Sequence, residues 1–159
     1  MSLAQSCYKG MFEGCTSLEL PPELPSTILP KINSEFSYCD CYSYMFYRCT
    51  SLTTAYELPA TTLANSCYSY MFDRCSSLTT APELPATTLA SNCYSYMFQG
   101  CTSLTTAPTL PATILVGYCY SNMFQGCSSL NNITMLATDV SASSCLSNWV
   151  SGVATTGTF

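Results

Sequence analysis

CYSYMFDRCSSLTTAPELPATTLASN, residues 67–92, states the plan of the whole chain, because its opening recurs as CYKGMFEGC from Cys7, CYSYMFYRC from Cys41, CYSYMFQGC from Cys93 and CYSNMFQGC from Cys119. From Cys41 onward each copy begins 26 residues after the last, whereas Cys7 to Cys41 is 34. Self-similarity at a period of this size marks a solenoid, since one unit has too little apolar surface to fold alone and buries it against its neighbours. The units read as 41–66, 67–92, 93–118 and 119–144, after a first unit at 1–40 with an insertion at about 31–40. Residues 145–159 read as a degenerate C-terminal cap, with Trp149 where Met123 stood and Val153 in place of the second Cys. Leu3-Ala4-Gln5-Ser6-Cys7 matches Leu63-Ala64-Asn65-Ser66-Cys67, so the chain opens inside a repeat and is expected to be a fragment of a longer protein.

Of the 159 residues 48% are apolar, enough for a continuous core, and only 8% are charged. The polar surface must therefore come from Ser, Thr, Asn and Tyr. Net charge is −5 with four basic residues, Lys9, Lys31, Arg48 and Arg74, which are scattered. Nucleic acid is bound through clustered Lys and Arg, so it is not expected as a partner. No apolar run is long enough for a membrane-spanning helix, and no membrane insertion is expected within this fragment.

Within the unit, CYSYMF is expected to make one or two turns of helix or 3-10 structure closed by Gly14, Gly100 or Gly126. LTTAPEL, as at 78–84, reads as a short irregular strand, because it is threonine-rich but Pro82 removes a ladder donor. PATTLA adds a turn and a second extended piece with Leu63, Leu89 or Leu115 pointing inward. The reading is an α/β repeat solenoid.

MFQGCTSL, followed by a short strand and a proline, resembles the BspA-like (Treponema-type) leucine-rich repeats, whose units carry an AF-x-x-C-x-x-L core and a strand ending in Ile-Pro. Met97-Phe98 takes the Ala-Phe place, Cys101 the cysteine, Leu104 the leucine and Pro111 the proline. Cys93 falls where that family usually has Ile. The resemblance implies a right-handed leucine-rich-repeat-like solenoid with a short-stranded parallel sheet, and a family found mostly on bacterial surfaces in adhesion or host interaction.

Eleven of the twelve cysteines fall in two columns, Cys7, Cys41, Cys67, Cys93, Cys119 and Cys145, and Cys15, Cys49, Cys75, Cys101 and Cys127. Eight helical residues rise about 12 Å, beyond disulfide reach, though non-helical turns would bring the pair closer. Between coils the side-chain vectors run parallel rather than converging. Free buried thiols are the favoured reading, with intra-unit disulfides the alternative. Metal binding is not expected without His or a repeated short Cys pair. Cys39, inside the insertion, is the candidate reactive thiol.

Three further columns are candidates for ligand binding. Glu23, Glu57 and Glu83 recur at one place, with Thr109 and Met135 completing the column, and stacked like charges favour a cation or a basic group. Thr54, Thr80 and Thr106 form a second column beside Thr53, Thr79 and Thr105, and adjacent threonines in a strand are expected to face opposite sides. Tyr56 joins this candidate surface. Tyr42, Tyr68, Tyr94 and Tyr120, like Tyr44, Tyr70 and Tyr96, read as packing between coils with hydroxyls at the surface, or as carbohydrate or protein contacts. The Met-Phe pairs read as core.

With no His and no convergent pair of acids, an enzyme is not expected, and neither is a cofactor. The expected function is a surface or secreted interaction module, monomeric and extracellular, that binds a protein or glycan partner, possible roles including adhesion. The alternative is a structural spacer or stalk, such as a phage-like tail element, with binding carried by other domains.

Overall fold

The computed structural model describes residues 6–22 and 40–158. Glu23, Lys31, Cys39 and the insertion up to residue 39 lie outside the described residues. Six coils are described, beginning at Ser6, Asp40, Ser66, Asn92, Tyr118 and Ser144, each with φ between 44° and 58°.

The CYSYMFxxC segment forms neither α-helix nor 3-10 helix, in contrast to the expectation. It is a ribbon of overlapping β-turns. In the third coil, Cys67, Ser69, Met71, Asp73 and Cys75 each donate their N–H to the carbonyl three residues back, at 3.1–3.3 Å. The alternate residues Tyr68, Tyr70, Phe72 and Arg74 donate across to Cys93, Ser95, Met97 and Gln99 of the next coil, at 2.6–3.1 Å. Every N–H from 67 to 75 thus has a partner, which a buried backbone requires. Ser66, Tyr70 and Arg74 stand at φ 56°, 58° and 61°, the third position of their turns, where a type II turn needs a positive φ.

This four-residue backbone period explains the sequence. Cys67 and Tyr68 point in, Ser69 and Tyr70 line the flank, Met71 and Phe72 point in, Asp73 and Arg74 flank again, and Cys75 returns to the core. Two-in, two-out spacing lies close enough to 3.6 to imitate a helix. Repetition then stacks like on like: the Phe12, Phe46, Phe72, Phe98 and Phe124 rings stand 5.4–5.7 Å apart and within 10° of parallel. Tyr8, Tyr42, Tyr68, Tyr94 and Tyr120 make a second stack at 5.4–6.1 Å. The hydroxyls of Tyr94 and Tyr120 are buried without a hydrogen-bond partner rather than at the surface.

Among the described residues Cys7, Cys15, Cys49, Cys75, Cys93, Cys101, Cys119, Cys127 and Cys145 are free thiols, Cys7 and Cys15 exposed and the others buried. The second column has a specific reason for sulfur. The thiols of Cys49, Cys75, Cys101 and Cys127 donate to the carbonyls of Phe12, Phe46, Phe72 and Phe98 in the preceding coil, at 2.9–3.1 Å. A small, mostly apolar side chain with one weak donor meets that requirement without adding a strong polar group to the core.

On the other side of each coil the expected strands are reduced to isolated parallel bridges, Thr54 with Thr80, Thr62 with Thr88 and Thr106 with Asn132. The 34-residue first interval does not disturb the stack, since Tyr8, Gly10, Phe12 and Gly14 donate to Cys41, Ser43, Met45 and Tyr47 as in later coils. In the fifth coil the register slips by one residue. Leu110 pairs with Met135 and Ile114 with Asp139, 25 residues on. Thr138 and Asp139 both donate to the Thr113 carbonyl, a bulge that absorbs the difference. Met135 therefore does not complete the Glu column but stands beside core Leu110, with Leu136 left 51% exposed.

Candidate functional site

The three left-handed positions of every coil form three columns. The first holds Ser6, Asp40, Ser66, Asn92, Tyr118 and Ser144; the second Gly10, Tyr44, Tyr70, Tyr96, Asn122 and Asn148; the third Gly14, Arg48, Arg74, Gly100, Gly126 and Gly152. Gly and Asn are the inexpensive occupants of such backbone, whereas other L-residues cost roughly 1–2 kcal/mol each. Five of the costly occupants, Tyr44, Tyr70, Tyr96, Arg48 and Arg74, lie together on coils two to four.

Tyr44, Tyr70 and Tyr96 stack with centroids 4.5 and 4.4 Å apart and planes within 7°. Burial raises the Tyr44 and Tyr70 phenols above the ordinary range. Beside them runs a groove of about 430 Å³, lined by Ser43, Ser69 and Ser95 next to the rings and by Ser66 and Asn92 beyond. Ser69 Oγ donates to the Ser95 carbonyl at 3.2 Å, fixing one hydroxyl. At the first-coil end the Lys9 ammonium bonds Asp40 at 2.8 Å and stands 6.0 Å from the Tyr44 ring centroid.

On the far side of the tyrosines, the Arg48 guanidinium lies 4.9 Å from the centroid of Tyr47, whose ring meets Tyr44 edge-on. Asp73, beneath Arg74, is 3% exposed and its Oδ1 has no hydrogen-bond partner. The Arg74 Nε is 3.9 Å away. Burial pushes the Asp73 carboxyl up to about 6, against the pull of Arg74 and Arg48. In the next two coils the same position holds Gln99 and Gln125, whose amides bond each other at 3.0 Å.

Of the columns singled out from sequence, only Tyr44, Tyr70 and Tyr96 line this groove. Glu57, Glu83, Tyr56, Thr54, Thr80 and Thr106 are all exposed, on the bridged side of the coils. Both members of each threonine pair are exposed, contrary to the alternation expected of a strand, because single bridges do not impose a strand's two-residue period. Thr79 Oγ1 instead donates back to the Thr53 carbonyl at 3.1 Å. The signal for the groove was present in the tyrosine column; what concealed it was that only the backbone shows Tyr and Arg standing where glycine stands elsewhere. Among the described residues no group of three or more His, Cys, Asp or Glu is placed to hold a metal ion. No helix among them is long and apolar enough to cross a membrane.

Self-similar coils stacked on shared ladders, with a groove along one flank, define a repeat protein of the solenoid kind. The family model of the BspA type leucine-rich repeat region matches residues 2–140 in six copies, and the chain belongs to that family. No curated protein and no solved structure matches it. Membership makes the chain a repeat interaction module.

Proposed function

We propose that the chain is a non-catalytic module that binds a protein or glycan partner at the tyrosine–serine groove, in a surface or secreted protein with a role in adhesion. One observation carries this reading: Tyr44, Tyr70 and Tyr96 occupy left-handed backbone where Gly10 and Asn122 stand in neighbouring coils, beside a groove of about 430 Å³. In the second and third left-handed columns the costly occupants are confined to coils two to four, and strain concentrated there points to a site. A non-catalytic role agrees with the absence of His and with the buried thiols, since burial pushes Cys49 and Cys119 up to about 11, away from the reactive thiolate. The bacterial surface setting is drawn from the family.

The test uses the full chain and a triple variant, Tyr44→Asn, Tyr70→Asn and Tyr96→Asn, which repeats the residue this chain itself carries at 122 and 148. Both are screened against glycan and host-protein arrays. The reading expects ligands bound by the parent and lost by the variant at unchanged fold. Ligands that bind both equally would move the site elsewhere. The spacer reading gains support from the near-uniform stacking of the Phe and Tyr columns, and it expects no ligand for either protein.

A further inference from the structure

The costly residues of the tyrosine face carry a chemical preference of their own. Arg48 and Arg74 occupy adjacent positions of the third left-handed column, at φ 60° and 61°, where the other four coils have Gly14, Gly100, Gly126 and Gly152. Nothing in the turn needs a side chain there. Both arginines are nonetheless held in place. Arg48 packs on Tyr47, and Arg74 runs over Gly100, its Cγ 3.4 Å from where a Cβ on that glycine would stand. Among the described residues Arg48 has no ion pair, and the Arg74 side chain is 54% exposed.

The described basic residues, Lys9, Arg48 and Arg74, all flank the tyrosine line, in a chain whose net charge is −5. The acids on this side are turned away or already engaged: Asp40 is bonded to Lys9, the Glu13 carboxylate folds toward Gly10, and Asp73 is buried. The charge presented outward is therefore arginine. Guanidinium groups bind carboxylates through paired N–H donors, and a guanidinium braced on a ring loses little freedom in doing so.

The groove on the other side of the tyrosines has no aliphatic residue in its lining, which is Ser, Asn, Tyr, Lys and Asp. Peptide partners draw much of their affinity from an apolar anchor in a pocket, and this face offers none. A line of phenol and serine hydroxyls suits a polyhydroxylated ligand instead. We propose that this face selects acidic glycans, with sugar hydroxyls along Tyr44, Tyr70 and Tyr96 and the sugar carboxylate between the guanidiniums of Arg48 and Arg74. The inference rests on the groove being the binding site.

Polymer-linked sialyllactose and lactose, alike except for the acidic sugar, are compared on the immobilised full chain. Sialyllactose is expected to bind about tenfold or more tightly than lactose, the size of one charge-assisted hydrogen-bonded contact. The Arg48→Gly, Arg74→Gly variant, which installs the glycine of the other four coils, is expected to abolish that preference at an unchanged or higher melting temperature. Equal binding of the two sugars, a preference that survives in the glycine variant, or binding of neither sugar overturns the inference. A protein ligand lost on Tyr70→Asn, with neither sugar bound, would leave the groove as the site and overturn the acidic-glycan preference alone.

Discussion

Asp73→Asn is expected to stabilise the protein at neutral pH and to do nothing in acid. The carboxylate is 3% exposed, one oxygen lacks a hydrogen bond, and its nearest cation stands at 3.9 Å. Burial moves its carboxyl from 3.8 to about 6, which at about 1.4 kcal/mol per tenfold bounds the cost of ionising it in the fold at roughly 3 kcal/mol. Screening by water around Arg48 and the half-exposed Arg74 reduces that, and the expected gain is about 1–2 kcal/mol. The amide also has a neighbour of its own kind, since Gln99 and Gln125 already bond each other in the same column. The sign follows from linkage. A carboxyl raised in the folded state binds its proton more tightly there, so the parent loses stability as pH rises from about 4 through about 6, and the full cost is present above that. The variant lacks this contribution. Urea unfolding of both proteins at pH 4 and pH 7 measures it, with equal slopes required for the comparison. A variant that is neutral or weaker at pH 7, or one that gains equally at both pH values, would refute the reasoning.

Other substitutions probe other parts of the stack. Tyr118, at φ 58° and 47% exposed, should gain about 1 kcal/mol on Tyr118→Asn, read as a higher melting temperature, because Asn tolerates the left-handed backbone that Asn92 already adopts one coil earlier. Gly157→Ala places a Cβ against the Asn131 carbonyl oxygen; the clash is with backbone, and it should cost about 1–3 kcal/mol and release the Thr158 pairing to Asn131 and Ile133, seen as faster amide exchange of Ile133. Thiol titration should find the buried cysteines slow to react in the folded protein and at least nine free on denaturation without reductant; a count near zero would mean disulfides.

How much of this was legible beforehand depended on which period each feature obeys. The stack, the Met-Phe and Leu core positions and the two cysteine columns follow the 26-residue repeat, and repetition alone locates them. The turn ribbon was misread because Cys67-Tyr68 and Met71-Phe72 are four apart, a spacing that an amphipathic helix also produces. Gly14, Gly100 and Gly126 were the available clue: a glycine at one fixed place in several units marks a positive φ, and whatever replaces it in the other units inherits that backbone. Applied to Arg48 and Arg74, that logic leads to the tyrosine face. The slip at Met135 could not be seen, because Met and Leu are interchangeable in a core and the bulge at Thr138 and Asp139 exists only in the hydrogen bonds.

The cross-coil backbone bonds of the turn ribbon all run one way, from Tyr68, Tyr70, Phe72 and Arg74 toward the next coil and never back. A helix aligns its amide dipoles along its own axis; this ribbon aligns them across its turns, along the stack. Its polarity therefore grows with the number of repeats rather than with the length of any segment. Along the ribbon each coil is a donor to the coil after it and an acceptor from the coil before. Units can thus be inserted, deleted or exchanged only in the same sense, and the stack carries a direction that no single unit possesses.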